Sequence, residues 1–61
     1  MANLTTDELK AIETQLRTEQ LLVKQFKSYA LLATDAQVKT LCEQIAGKHQ
    51  NHFDRLLTYL N

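Results

Sequence analysis

Tyr29-Ala30-Leu31-Leu32-Ala33-Thr34-Asp35-Ala36-Gln37-Val38 is the stretch on which the fold turns. Up to Ala33 the apolar residues continue a helical pattern. Thr34 and Asp35 then interrupt it with two residue types that favour the N-cap of a helix. Thr34 and Gln37 also stand at the spacing of a capping box. A new apolar stripe opens at Val38. A break of only two or three residues between two helical stripes dictates an antiparallel hairpin.

Outward from the break toward the N-terminus, Leu9, Ile12, Leu16, Glu19, Val23, Phe26, Ala30 and Ala33 recur in steps of three and four. This is the seam of a coiled-coil-like helix, with Glu19 its one polar member. Three signals mark where it begins. Thr5 and Glu8 have capping-box spacing, and Leu4 and Leu9 stand at the hydrophobic-staple positions around that cap. Asp7 and Glu8 place negative charge at the positive end of the helix dipole. Toward the C-terminus a second seam reads Val38, Cys42, Ile45, His49, His52, Leu56 and Tyr59, with His49 and His52 polar. The expected helices span about 6–33 and about 36–60 of a single domain, residues 1–61. There is no Pro, and the one Gly, Gly47, falls on the outer side of the second heptad. It costs about 1 kcal/mol relative to Ala inside a helix.

A hairpin needs one apolar seam per helix, and this chain has more. Leu21, Leu22, Tyr29, Leu31 and Leu32 lie off the first seam, and Leu41, Phe53, Leu57 and Leu60 off the second. In water they form an exposed apolar patch. A domain of about 60 residues buries only about 60% of its unfolded surface. With one Cys, no internal disulfide can reinforce it. The expected remedy is a two-fold homodimer closing a four-helix bundle. Seven basic residues balance seven acidic ones, with no basic face for nucleic acid. The longest apolar run, Ala30 to Ala33, is far short of the roughly 20 residues of a membrane span. The N-terminus lacks a signal-peptide pattern, so synthesis in the cytosol is expected, where a free thiol is at home.

The polar seam residues carry the chemistry. In a hairpin turning near residue 34 or 35, residue i of the first helix lies level with about residue 69 − i of the second. Glu19 therefore falls level with about position 50, between His49 and His52. Two His at i, i+3 share a helical face. With one carboxylate they make a two-His, one-carboxylate set suited to Fe(II) or Zn(II). Gln15, Gln20 or a residue of a partner chain would then hold the free imidazole nitrogens. The same three residues also make a self-satisfied polar layer, which sets register and oligomeric state without any metal. A third reading is a pH-responsive interaction module, since imidazoles charge near neutral pH. Cys42 lies one heptad before His49, about 10 Å along the axis. It reads as a small core residue or as an intermolecular cross-link. Tyr29 and Tyr59 read as amphipathic packing residues, and Glu13 with Arg17 as an i, i+4 pair. No Ser or Cys has a base partner at helical spacing and no Gly-rich phosphate loop exists, so no enzyme activity is expected.

Two stretches carry a resemblance. Leu16-Arg17-Thr18-Glu19-Gln20-Leu21-Leu22-Val23-Lys24-Gln25-Phe26-Lys27-Ser28-Tyr29-Ala30 resembles the first helix of small Coat F-like spore coat proteins of Gram-positive spore formers. Leu41-Cys42-Glu43-Gln44-Ile45-Ala46-Gly47-Lys48-His49-Gln50-Asn51-His52-Phe53 is similar to their second, with its Lys-His-x-x-His and following aromatic. The resemblance implies a ferritin-like helical architecture, a place in the spore coat among other coat proteins, and no enzyme activity. Related ferritin-like families bind two metals through Glu and Glu-x-x-His. Glu19 matches the first Glu in placement and His52 the His, while His49 stands where the second Glu would be.

Overall fold

A computed structural model of the chain describes residues 3–60. Two helices, α1 (Thr6–Leu32) and α2 (Ala36–Leu57), pack as a hairpin, and a 3₁₀ turn (Thr58–Leu60) follows. The described residues are all-helical, and the single hairpin makes a slab whose Cα atoms extend 46 × 16 × 11 Å.

The start of α1 follows the capping-box expectation. The Glu8 amide donates to Thr5 Oγ1 at 3.1 Å, and the Thr5 amide donates to Glu8 Oε1 at 2.8 Å. These bonds satisfy two of the donors that every helix start leaves open. Hydrogen bonding to the Glu8 carboxyl from the Thr5 amide, and then from the Thr5 side chain, holds that carboxyl below its ordinary range. The second start differs from the Thr34–Gln37 box. Asp35 is the N-cap, and its Oδ1 accepts from the amides of Gln37 at 2.8 Å and Val38 at 2.9 Å. An ionised carboxylate is a stronger acceptor than a hydroxyl, and it takes both amides one residue later. At its other end α2 tightens. Thr58 Oγ1 donates to the Arg55 carbonyl at 2.6 Å, and the last turn becomes 3₁₀ where a continuous helix was expected.

The first seam faces α2 from Ile12 on: Leu16, Glu19, Val23 and Ala30 are buried and Ile12, Phe26 and Ala33 half-buried, while Leu9, its first member, is exposed. The second seam is corrected. Cys42 and Ala46 are buried and Ile45, His49, Phe53 and Leu56 half-buried, while Val38, His52 and Tyr59 are exposed. Cys42, His49 and Leu56 stay at the interface every seven residues as expected, but Ala46 and Phe53 form the second row in place of the Ile45–His52–Tyr59 row, so the face turned to α1 lies one residue further on and Phe53 takes the place assigned to His52. No side chain among the described residues is fully enclosed.

The same geometry gives the hairpin two unlike flanks. At about 100° per residue, Leu22, Phe26 and Tyr29 lie to one side of the α1 seam. Leu41, Ile45, His52 and Tyr59 lie to the corresponding side of the α2 seam, and antiparallel packing brings both sets to one flank. The Phe26–His49 ring stack lies on that flank. The opposite flank is charged, and there Lys27, Leu31, Lys39 and Glu43 line a shallow depression.

Candidate functional site

Glu19, at mid-length of α1, is the one buried charged residue among the described residues. His49 Nδ1 lies 2.5 Å from Glu19 Oε1, and His52 Nδ1 lies 3.5 Å from the same oxygen. Gln15, one turn before Glu19, donates from Nε2 to Oε2 at 2.8 Å. The three residues expected at one height of the bundle thus converge, with their ligating atoms all within 4.8 Å of one another. An ionised carboxylate only accepts, so the bonded His49 carries its hydrogen on Nδ1. The hydrogen bond from His49, then that from Gln15, lowers the Glu19 carboxyl below its ordinary value; burial opposes this, and the charges of His49 and His52 assist it.

The rings around the carboxylate are ordered by one another. Phe26 stacks on His49 with centroids 6.3 Å apart and planes at 26°. His49 and His52 meet edge to face at 5.6 Å, and Phe26 meets Tyr29 in the same way at 5.4 Å. The Phe26 contact has no signal in the level rule, which sets Phe26 opposite about position 43. Side chains lean toward the N-terminus of their own helix. In an antiparallel pair Phe26 therefore leans away from the turn and His49 toward it, and the rings meet between their levels.

Gln15 supports the site differently from the expectation. It holds the carboxylate, and no imidazole nitrogen is bonded to Gln15 or Gln20 among the described residues. Cys42 is a buried free thiol outside the cluster. The ion pairs among the described residues both converge on Glu19, so Glu13 and Arg17 do not form the expected pair.

No family model, curated protein or solved structure matches this chain.

The site is shallow and one-sided. Glu19 and His49 line the joint between the helices, whereas the His52 side chain is 57% exposed and opens on the apolar flank. Two imidazoles and a carboxylate meeting at a solvent-facing edge can act as a hydrogen-bonded layer or as a set of three metal ligands. No helix among the described residues is long and apolar enough to cross a membrane.

Proposed function

We propose that this chain is a small non-enzymatic structural protein that works as a homodimer. Two hairpins pair through their apolar flanks into a ferritin-like four-helix bundle, and the bundle assembles with other proteins of a spore coat, the setting its sequence resemblance implies. The observation that carries the dimer is surface area. The chain of 7.0 kDa exposes 4850 Å², whereas a compact monomer of that mass exposes roughly 4000 Å². The surplus, roughly 800 Å², is what one partner contributes to a standard interface. Tyr29, Leu41 and Tyr59 are each about half exposed on the one flank. A second copy of the same flank is the apolar surface that matches it, and two-fold pairing closes it without leaving a free face.

Light scattering at micromolar concentration tests the reading. The expected mass is twice 7.0 kDa. Leu41→Glu, on the apolar flank, should weaken the dimer by roughly 100-fold, the effect of an unpaired charge in an interface. Leu31→Glu, on the charged flank, should leave the mass unchanged. A monomeric wild type, or equal effects of the two substitutions, rejects the pairing.

A further inference from the structure

We propose that Glu19, His49 and His52 form a mononuclear site for a divalent first-row transition ion, one ion per chain. A polar layer needs only part of this cluster. The two Glu19 oxygens are already partnered by His49 and Gln15. His52 adds no hydrogen bond to that pairing, yet its Nδ1 lies 3.5 Å from Oε1 on an otherwise exposed side chain. A third nitrogen-or-oxygen donor turned onto one edge is what a three-ligand site requires.

The spacing and support fit an ion. Donors that bind at about 2.0–2.2 Å stand roughly 3–3.5 Å from one another. The His52–Glu19 pair is at that separation. The closer His49–Glu19 pair must open by under about 1 Å, and metal on Nδ1 then replaces the hydrogen shared there. Gln15 holds Oε2 and leaves Oε1 to ligate, while Phe26 fixes the plane of the His49 ring. Such supporting contacts orient ligands around a metal.

The donor set also selects the ion. Two imidazoles disfavour Mg²⁺ and Ca²⁺, which take oxygen ligands. The lack of a thiolate in the cluster disfavours Cu(I). Two imidazoles and one carboxylate on a single face suit Zn²⁺, Fe²⁺ or Co²⁺, with the remaining positions open on the His52 side.

The full chain, stripped by chelator, is titrated with Zn²⁺ by calorimetry and with Co²⁺ by visible absorption. One ion per chain, d–d bands of protein-bound Co²⁺ and a raised Tm are expected. His52→Ala should weaken binding at least about tenfold, while far-ultraviolet circular dichroism verifies that the hairpin persists. The wild type supplies a second readout free of any folding effect: Co²⁺ should shift or broaden the ring signals of His49 and His52 together in the magnetic resonance spectrum. Absent binding, ring signals that stay in place, or a folded His52→Ala protein with unchanged affinity overturns the site. The oligomer mass is independent of these readouts, so loss of the metal site and loss of the dimer are separate results.

Discussion

His49 Nδ1 stands 2.5 Å from Glu19 Oε1 across the joint between α1 and α2, and theirs is the side-chain hydrogen bond that links the two helices among the described residues. The three-residue connection between α1 and α2 sets the register of the hairpin, and at that register the buried carboxylate meets its imidazole. Each of the following outcomes depends on that register or on the caps that frame it.

Removing one partner of the pair should cost more than removing both. His49→Ala leaves the Glu19 charge buried with one hydrogen bond fewer, a loss of about 1–3 kcal/mol. Glu19→Leu combined with His49→Leu should be near neutral or stabilising, as apolar replacement of a buried ionic set often is. Urea unfolding of the three proteins measures both. A double variant less stable than His49→Ala would mean that the pair contributes net stability to the hairpin.

The second helix should depend on Asp35 and be nearly indifferent to Thr34. Asp35→Ala deprives the Gln37 and Val38 amides of their acceptor and should cost about 1 kcal/mol. Thr34→Ala should change stability by under about 0.5 kcal/mol. Equal losses would place the cap one residue earlier.

Gly47→Ala should stabilise the hairpin. A Cβ at this position meets nothing within 4 Å, and the backbone φ is not positive. Replacing a mid-helix Gly by Ala contributes about 0.5–1 kcal/mol, read as a higher Tm. A lower Tm at dimer-forming concentrations would show that the outer side of α2 is packed against a neighbour, contrary to pairing through the apolar flank.

Stability should fall on the acid side. The carboxyls of Glu8 and Glu19 are both held below the ordinary value of 4.5. A group whose folded pKa lies below its unfolded one stabilises the fold where it is ionised. That contribution is present above about pH 4.5 and is lost as the pH falls through the ordinary value toward the lowered one. Glu8→Gln retains an acceptor for the Thr5 amide but cannot take up a proton. Its melting temperature should therefore fall less steeply than that of the wild type in acid. Parallel acid limbs for the two proteins would exclude Glu8 as a contributor.

Much of the fold was legible in the residues because its signals are short-range. Thr5 and Glu8, and the interruption at Thr34-Asp35, act within one helical turn, so helix starts and the hairpin follow from local chemistry. The common height of Glu19, His49 and His52 follows from a fixed rise per residue on both sides of a short turn. Less legible was the competition between neighbouring candidates. Thr34 and Asp35 are both good caps, and only the path of the chain leaving Ala33 selects the one whose oxygen reaches two amides.

The sequence by itself determined two helices, their connection and the level at which a carboxylate meets two imidazoles, because capping and helical rise are properties of a few adjacent residues. The tertiary structure alone decided that Phe53, and not His52, closes against α1. It also decided that Gln15 clamps the carboxylate, and that Phe26 reaches past its own level to stack on His49. These outcomes depend on which face of α2 packing turns onto α1, and on how the side chains of antiparallel helices lean toward or away from each other. Both are properties of the packed pair and of neither helix alone.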